Sequence, residues 1–504
     1  MSNAFTWPAY LHFLIYAPVV KAFSKLTFTG MKNIVKFAPA KKLLTVLLVF
    51  VTCTCQAQNN NTLITDSALQ APTDTFYVKK HFWRASGELL VTQLVPWSYN
   101  YFIRNADFAK ISFKSIGHNL KPGSWEWDDN NFKTNQFAHP YHGNLYYNSF
   151  RSNGYNFWQA APAAFAGSLL WEIAGETHPP APNDFVNTSI GGIALGEMTY
   201  RLSNAVIDNR QRGFKRQAQE VLGFIINPVS GLTRILDGRW GKVHYHPDDT
   251  VKTKLSGILD IGGRRFSEQG EDFFERGDNE FYMRLRLRYG NLYEATKTPF
   301  SNFSVFIEAG ASDSAYLNTV LVNAALRQWL AKERPDRRHF YALTMNYDYF
   351  NNASFEYGAQ SSNFKILSEW RRLSKTKLFS NLGAGVIVLA AVPDDYLYYG
   401  EGRNYDYGPG ISVSGGIGLV ANDKFLAAVN YRGGWFLTVN GNESSFFLNA
   451  VTTELRYQFT PRLSVGMELG HFSLNGYYAD YKDVSKRYPF ARYSIGYRLF
   501  GERD

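Results

Sequence analysis

Six polar residues between positions 139 and 197 are of the types that carry out acid–base chemistry. They are His139, His142, Glu172, Glu176, Asp184 and Glu197. An imidazole can act as a general base near neutral pH, and a neighbouring carboxylate can orient it. With a serine nucleophile (Ser149, Ser152 or Ser168), such groups could catalyse acyl or ester transfer. These six residues are therefore the candidate catalytic residues, and the sequence assigns none of them a role.

Metal binding is the second chemistry open to this segment. Glu172 and Glu176 are spaced i,i+4 and share one face of a helix, whereas His139 and His142 are separated by Pro140. Imidazole and carboxylate together can ligate a transition metal. However, no His-Glu-x-x-His motif is present, and no Gly-x-Ser-x-Gly elbow supports the esterase alternative. The sequence thus predicts neither a metal nor another cofactor, and leaves His139, His142, Glu172 and Glu176 as weak candidate ligands.

The elements that carry these residues are predicted to be helices. Residues 144–153 have a helical pattern, and a run of small residues at 160–168 leads into Trp171 and Glu172. A third helix is expected over 215–236, with a kink or break at Pro228. Its basic residues are typical of a helix at a membrane surface, although an ordinary packed helix fits equally well.

Residues 100–240 resemble an uncharacterised bacterial family known only as a domain of unknown function. The shared motifs are His139-Pro140-x-x-Gly143, Trp171-Glu172, Asn183-Asp184, Gly191-Gly192 and Leu195-Gly196-Glu197. The resemblance implies an envelope protein of Gram-negative bacteria, and it implies no activity.

The first 57 residues indicate export. Four lysines between positions 32 and 42 precede the apolar run 43–51, and Cys55-Gln56-Ala57 has the small-x-Ala form of a signal-peptidase site. Met31 is the expected start of this signal peptide, and residues 1–30 are then an upstream extension. Lipidation of Cys53 or Cys55 is an alternative processing route. Both cysteines lie in this segment, so the mature chain is expected to lack thiol chemistry.

The bulk composition excludes some functions and favours a membrane barrel. Six lysines of residues 1–57 account for six of the ten net positive charges, so the basic balance does not indicate nucleic-acid binding. Aromatic residues make up 16% of the chain and charged residues only 19%. Transmembrane barrels share this bias, because aromatic girdles lie at both interfaces and lipid excludes charge.

Alternation with a period of two dominates the chain from about residue 252. In 281–289 the odd positions are apolar or aromatic, and Arg284, Arg286 and Arg288 occupy even positions. These sets lie on opposite faces of a strand. In a barrel the arginines would line the lumen, while in a soluble sandwich they would face water. About twelve strands are predicted, at 252–266, 278–290, 300–310, 315–330, 339–350, 354–372, 376–391, 408–420, 424–438, 444–458, 462–475 and 488–500.

The connections support the barrel interpretation. Those at 267–278, 393–407 and 475–489 are long, whereas those at 421–424 and 460–461 are short. Long outer loops and short periplasmic turns are typical of bacterial barrels. The last strand resembles the terminal strand recognised by the barrel-assembly machinery, although Phe500 lies off the face of Tyr493, Ile495 and Tyr497.

The predicted protein is mainly β, an antiparallel transmembrane barrel with an N-terminal, partly helical domain or plug. The domains are an upstream extension (1–30), a signal peptide (31–57), a disordered or linker segment (58–96), a partly helical family domain (97–240) and the barrel (241–504). We expect it in the outer membrane of a Gram-negative bacterium, with both termini periplasmic.

The preferred function is envelope transport, binding or organisation, with the helices as a plug or docking segment. Carboxylates on a plug, such as Glu172, Glu176 and Glu197, would then neutralise the lumen arginines. The alternative is a lipid-modifying enzyme of the acyl hydrolase or transferase type. Whether the chain is an enzyme stays open, with the non-enzymatic role preferred. The expected partners are outer-membrane lipid and the assembly machinery, with no nucleic acid, and the ligand is unknown.

Overall fold

A computed structural model describes residues 79–243, 254–267, 273, 277–310, 316–352, 356–373, 375–400 and 402–501. The predicted upstream extension and signal peptide lie outside these residues, as does the first part of the predicted linker.

Twelve antiparallel strands form a closed barrel, in which each strand pairs with its sequence neighbours and β12 closes on β1. This confirms the predicted fold class, and all twelve predicted strands are present with ends within four residues of those expected. The strands are β1 (Leu255–Phe266), β2 (Asp278–Tyr289), β3 (Phe303–Gly310), β4 (Leu317–Arg334), β5 (Arg337–Asn351), β6 (Glu356–Leu373), β7 (Thr376–Pro393), β8 (Tyr405–Ala421), β9 (Phe425–Leu437), β10 (Ser444–Gln458), β11 (Leu463–Tyr478) and β12 (Val484–Phe500).

The two ends of the barrel differ. At the end where the odd-numbered strands finish, called here the loop end, the connections include 267–277 and 394–404. At the opposite turn end, β4 and β5 are joined by two residues, and β8 and β9 by three. The β4–β5 connection is shorter than the predicted strand ends, 330 and 339, would leave, because both strands extend further than expected. The β2–β3 connection, 290–302, is the exception, since Phe300 in it packs against Phe157 of the helical region.

Ion pairs cross the lumen of the barrel. Arg284 on β2 reaches Glu468 on β11 at 2.7 Å, and Arg286 reaches Glu454 on β10 at 2.8 Å. Arg284 and Arg286 also pair with Glu308 and Asp260 of the neighbouring strands, at 2.7 Å each. Arg284 and Arg286 thus face the lumen, and carboxylates of the strands neutralise them there, where the sequence had suggested carboxylates of a plug.

Aromatic rings fill the lumen near the loop end. Phe350 of β5 contacts Phe472 of β11 across the barrel, with ring centroids 6.0 Å apart, and Phe472 stacks on Phe490 at 5.2 Å. Phe436 and Phe446 form a second stacked pair at 5.7 Å. Together with the ion pairs, these contacts connect opposite walls of the barrel through its lumen.

Helices occupy most of residues 82–236. They are α1 (Phe82–Ser98), α2 (Phe113–Asn119), α3 (His139–Arg151), α4 (Phe157–Ala174), α5 (Pro182–Val186), α6 (Gly192–Val206), α7 (Gly213–Ile226) and α8 (Pro228–Leu236), with π-helical turns at Tyr99–Ile103, Thr134–Ala138 and Asn187–Gly191. The predicted break at Pro228 separates α7 from α8. Helix begins at Phe82, inside the stretch assigned to a linker. Among the described residues, no helix is both long and apolar enough to cross a membrane.

The helical region, residues 79–243, packs on the outer wall of the barrel. On β5, Asp348 points into the lumen and pairs with Arg432 of β9, so Tyr347 and Tyr349 on either side of it face outward. Tyr347 donates to the carbonyl oxygen of Gln136 at 2.6 Å, and Tyr349 packs against Phe132. Of the two arrangements that the sequence left open, a plug and a separate helical domain, the structure has the domain, since these helices cover the outside of the wall.

The outward-facing contact surface on the barrel, called here the wall seat, extends from β2 to β8. Its buried residues are Leu287, Tyr289, Phe303, Val305, Val320, Val322, Ala324, Tyr347, Tyr349, Leu389, Ala391, Tyr405 and Tyr407, which share one apolar cluster with residues of α3, α4 and α6. On β8 the seat lies at the loop end, because Tyr405 is the first residue of that strand.

The remaining outer surface is apolar on both the barrel and the helices. Exposed barrel residues include Leu343, Ile366, Leu382, Ile411, Val429, Val451 and Ile495. On the helical region, Trp83, Phe102, Ile103 and Phe214 are each more than 70% exposed, and Leu94, Val95, Trp158, Ile225 and Leu236 are also exposed. An apolar surface of this extent favours contact with lipid over contact with water.

Candidate functional site

Three of the predicted site residues converge in the helical region. One ligand atom each of His139, Glu172 and Asp184 lies within 4.8 Å of the other two. His139 Nε2 is 3.6 Å from Asp184 Oδ1. The side chains of Glu172 and Asp184 are buried, whereas His139 is 13% exposed. This group, called here the His–carboxylate site, is formed by α3, α4 and α5.

Close packing of two backbones positions His139. Gly143, one turn after His139 on α3, lies against the turn Asn187–Gly191, where an added Cβ would sit 1.7 Å from the carbonyl oxygen of Thr188. The side chain of Thr188 in that turn lies 3.2 Å from His139 Nδ1. The Gly143 of the family motif therefore allows Thr188 to fix the orientation of the imidazole, which leaves Nε2 directed at Asp184.

The last turn of α4 positions Glu172. Asn119 donates through Nδ2 to the carbonyl oxygens of Glu172, Glu176 and His178, at 3.3, 3.3 and 2.9 Å, and so holds the helix end. Glu172 Oε2 accepts a hydrogen bond from the amide of Ala181 at 2.9 Å. Its Oε1 is buried without a hydrogen-bond partner. One oxygen of this carboxylate is thus available to a ligand.

The barrel wall contributes to the placement of Asp184. Asn183 donates through Nδ2 to Asp184 Oδ1 at 2.8 Å, and the same amide nitrogen lies 3.2 Å from the hydroxyl of Tyr407 on β8. Asn183 Oδ1 accepts from the backbone amide of Asp128 at 3.0 Å. Asn183 therefore connects the site to the wall seat and to the segment that carries Asp128.

Two further carboxylates, those of Asp128 and Glu176, lie close enough to affect the pKa values of the site. Burial raises the pKa of Asp184 well above its usual range, and the charges of Asp128, Glu172 and Glu176 raise it further. Burial likewise raises the pKa of Glu172 to about 8, with Asp128 adding to the effect. Burial lowers the pKa of His139. Without a cation, the site would therefore hold a neutral imidazole and protonated carboxyl groups near neutral pH.

Glu176 is close enough to perturb its neighbours, as expected from its spacing to Glu172. The carboxylates of Glu172 and Asp128 add to burial in raising the pKa of Glu176, while the side chain of Trp171 donates a hydrogen bond to it. Glu176 and Asp128 are partly exposed. Both are more exposed than Glu172 and Asp184.

His142 lies near the His–carboxylate site but is occupied by other contacts. Its Nε2 is 3.0 Å from the carbonyl oxygen of Thr92 on α1, its Nδ1 is 3.1 Å from the hydroxyl of Tyr146, and its ring packs edge-on to Trp171 at 4.8 Å. Burial lowers its pKa to about 4. His142 therefore has a structural role: as a neutral side chain it connects α3 to α1.

Glu197 forms a separate buried ion pair between α3 and α6. Arg151 and Arg201 each contact its carboxylate at 2.8 Å, and Tyr147 donates to it at 2.6 Å. Burial would raise its pKa, but the two guanidinium groups outweigh this and hold it below its usual value. Glu197 is therefore neutralised by the protein, in contrast to Glu172 and Asp184.

Sequence reasoning missed Asp128, Thr188 and Tyr407. Asp128 and Tyr407 lie outside the family motifs, and Tyr407 is 223 positions from Asp184 along the chain, so local patterns give no signal for them. Among the described residues, no hydrogen bond links the candidate nucleophiles Ser149, Ser152 and Ser168 to the His–carboxylate site. Ser149 donates to the carbonyl oxygen of Tyr146, one turn earlier on α3.

The arrangement can support two kinds of chemistry. A neutral imidazole beside a carboxyl group can transfer protons to and from a bound water or substrate. One imidazole and two carboxylates can also serve as the three protein ligands of a divalent cation that activates water.

Comparison with known proteins supports the resemblance noted from the motifs. Residues 124–229 match the family described as "Domain of unknown function (DUF3943)". That match includes His139, Glu172 and Asp184. No curated protein shows significant sequence similarity to the chain.

Solved structures that align with the chain are barrels of low identity. A KdgM porin is 10% identical over 47% of this chain and 98% of its own, with a TM-score of 0.24. OmpT of Vibrio cholerae, described as outer-membrane expressed, is 11% identical over 49% of this chain and 98% of its own, with a TM-score of 0.22. The toluene transporter TodX of Pseudomonas putida is 8% identical over 50% of this chain and 92% of its own, with a TM-score of 0.22.

Proposed function

We propose that the protein is an outer-membrane enzyme that modifies membrane lipid, with the barrel as its anchor and the helical region as its catalytic part. The observation that carries this proposal is the convergence of His139, Glu172 and Asp184 inside a domain whose outer surface is apolar. A soluble enzyme would not present Trp83, Phe102 and Phe214 to water at more than 70% exposure.

The barrel supports anchoring better than transport. Its outer surface alternates in the way that places apolar side chains toward lipid, as on bacterial transmembrane barrels. Its lumen is crossed by the pairs of Arg284 with Glu468 and of Arg286 with Glu454. Ion pairs and ring contacts that bridge opposite walls obstruct the lumen, so the role of a channel is less well supported than the sequence suggested.

The height of the site on the wall favours a lipid ester as substrate. Asn183 of the site contacts Tyr407, the third residue of β8, and Tyr405 donates to the carbonyl oxygen of Asn130 at 2.8 Å. These tyrosines lie at the loop-end limit of the strand, where lipid head groups meet the barrel. The esters of a membrane lipid lie at this level, between the head group and the acyl chains.

The reaction that fits is hydrolysis or transfer at such an ester. A water molecule, or a hydroxyl of the acceptor, loses its proton to a side chain of the site, and its oxygen forms a bond to the acyl carbon or phosphorus. The ester bond to the leaving oxygen then breaks, and that oxygen takes a proton from the site. His139, Asp128 and Glu176 are each partly exposed, so an ester could approach the site at these residues.

The asymmetry of the connections favours one orientation in the membrane. Short connections cluster at the turn end, where β1 begins and β12 finishes. Short turns are periplasmic in bacterial barrels. Both ends of the barrel segment would then be periplasmic, and the site would lie toward the outer leaflet of an outer membrane.

The test is a comparison of envelope lipids by mass spectrometry. A deletion strain is complemented with the wild-type gene, with Asp184→Asn, or with Asp107→Asn, in which a fully exposed aspartate outside the site is changed. We expect the deletion to shift a lipid species, and wild type and Asp107→Asn to restore it. The Asp184→Asn protein should be present in the membrane and restore less than about a tenth of the change, as expected when a catalytic group is lost.

Two results would refute the proposal. One is a lipid composition that the deletion does not change under any growth condition in which the protein is present in the wild-type membrane. The other is full restoration by Asp184→Asn, since the site would then have no part in the lipid change.

A further inference from the structure

The His–carboxylate site differs from other buried acidic residues of the helical region in how its charge is balanced. Glu197 has two guanidinium groups within 2.8 Å, and Glu220 is paired with Arg216 and Arg234 at the same distance. Among the described residues, no lysine or arginine forms an ion pair with Glu172 or Asp184, and the basic side chain that Asp184 meets is the imidazole of His139. Buried carboxylates without a guanidinium or ammonium partner can instead be neutralised by a bound metal cation.

The spacing of the site fits a single cation. Two ligand atoms bound about 2.1 Å from a tetrahedral ion lie about 3.4 Å apart. His139 Nε2 and Asp184 Oδ1 are separated by 3.6 Å, and the carboxylate of Glu172 completes a group with no separation above 4.8 Å. Only a small movement of Glu172 is needed to bring all three into a common coordination sphere.

The side chains around the site are also arranged as metal ligands require. His139 Nδ1 lies 3.2 Å from Thr188 Oγ1, so the Nδ1–H can donate there and leave the Nε2 lone pair free. Asp184 accepts from Asn183, and Glu172 from the amide of Ala181, so each carboxylate is fixed through one contact. The other oxygen of Glu172, with its residue 1% exposed, has no hydrogen-bond partner.

We infer that His139, Glu172 and Asp184 bind one divalent first-row transition-metal ion, of the Zn²⁺ or Mn²⁺ class. One imidazole with two carboxylates suits such ions better than Mg²⁺ or Ca²⁺, which prefer oxygen ligands alone. Three protein ligands leave a position for water, as in catalytic sites. A catalytic use of the metal rests on the proposed function, whereas the metal site itself is inferred from the geometry of the three side chains.

The test measures metal bound by the purified full-length protein in detergent. The protein is stripped with a chelator, loaded separately with Zn²⁺ or Mn²⁺, desalted, and analysed by mass spectrometry for metal per chain. We expect about one ion per wild-type chain with at least one of the two. Asp184→Asn and Glu172→Gln should bind at least about 100-fold more weakly, because each removes a charged ligand.

Matched substitutions control for surface binding and for misfolding. His118 is exposed on α2, and Asp107 is exposed outside the site, so His118→Ala and Asp107→Asn should keep the full ion. Co²⁺ provides a second measurement, because its visible ligand-field bands should appear in wild type and be lost in His139→Ala. Far-ultraviolet circular dichroism checks that each variant keeps its helices.

The possible results of these measurements distinguish failure of the metal site from failure of the proposed lipid activity. Wild-type protein that retains no ion with Zn²⁺, Mn²⁺ or Co²⁺ overturns the inference, as do folded Asp184→Asn and Glu172→Gln variants that bind as wild type does. A wild-type protein that binds no ion in these measurements but still modifies lipid would overturn the metal site and leave the proposed function standing. A protein that binds one ion through these ligands without affecting lipid would overturn the proposed function alone.

Discussion

Among single residues, the two candidate glutamates Glu172 and Glu197 differ in the contacts that their carboxylates make. Glu172 and Glu197 are both buried glutamates of the family motifs, yet Glu197 contacts Arg151 and Arg201 while Glu172 keeps one oxygen unpartnered. The sequence could nominate both, because glutamate in an otherwise apolar helix is unusual. It could not separate them, since Arg151 and Arg201 meet Glu197 only when α3 packs on α6.

Replacing Glu197 should therefore harm stability without harming the metal site. Glu197→Ala leaves two buried guanidinium groups without their carboxylate, and breaking a buried ion pair in this way costs about 3–5 kcal/mol. The free energy of unfolding of the helical region, followed by pulse proteolysis in detergent, should fall by that amount. Unchanged stability would contradict the structural role, and loss of bound metal in protein that remains folded would return Glu197 to the site.

A second residue-scale prediction concerns the contact between α3 and the turn Asn187–Gly191. In Gly143→Ala the new Cβ would lie 1.7 Å from the carbonyl oxygen of Thr188, so the two backbones must separate. We expect a loss of at least about 1–3 kcal/mol in stability, together with weaker metal binding, because His139 moves with α3. Gly123→Ala is the control, since a Cβ there has nothing within 4 Å. Equal stability of the two variants would contradict this account.

At the element scale, the strands were predictable and the place of the helices was not. Period-two alternation located β1–β12 because each strand has one apolar and one polar face. Outward tyrosines such as Tyr347, Tyr405 and Tyr407 look the same in sequence whether they lie in an aromatic girdle or bind a neighbouring domain. Their hydroxyl partners, including Gln136 and Asn183, come from a segment more than 200 residues away.

Helix α1 offers a prediction about pH. Glu88 on α1 accepts hydrogen bonds from Asn153 at 2.7 Å and from Thr233 of α8 at 3.0 Å. Burial raises its pKa from 4.5 to about 7, although both hydrogen bonds lower it. Because the folded state holds the proton more tightly, the stabilisation is full below about pH 4.5 and is lost as the pH rises to about 7.

Hydrogen exchange can measure this effect. Amides of Phe82–Ser98 should open several-fold more often at pH 8 than at pH 5, after correction for the intrinsic exchange rate. In Glu88→Gln the side chain cannot ionise, and this dependence should largely disappear. A variant with the pH dependence of wild type would show that another group is responsible.

For the molecule as a whole, the barrel interior and the helical region are stabilised by separate sets of contacts. The barrel interior is stabilised by its own charges and rings, including Arg286 with Asp260 and Phe350 with Phe472. The helical region uses only the outer wall. Removing it should therefore leave the lumen unchanged, which is the reverse of what a plug would do.

Conductance in planar bilayers tests this independence. We expect no stable open channel in wild type, and none after deletion of residues 79–243. By contrast, Arg284→Ala combined with Arg286→Ala and Phe472→Ala should raise the ion leak, because it removes contacts that cross the lumen. An increase of conductance on deletion of the helices, with none in the lumen variant, would contradict the placement on the outer wall. If the chain without residues 79–243 fails to insert, comparing the conductance of the lumen variant with that of wild type still tests whether these contacts block the lumen.

The wall seat also has a consequence for the order of assembly. Its tyrosines belong to β5 and β8, which are synthesised after the helices that cover them. The helical region can therefore dock in full only after the strands of the seat, β2 to β8, have paired. Before that, the hydroxyl of Tyr347 lacks the carbonyl oxygen of Gln136 as its hydrogen-bond partner. Assembly of the barrel thus precedes completion of the His–carboxylate site, because Asn183 meets Tyr407 only on the finished wall.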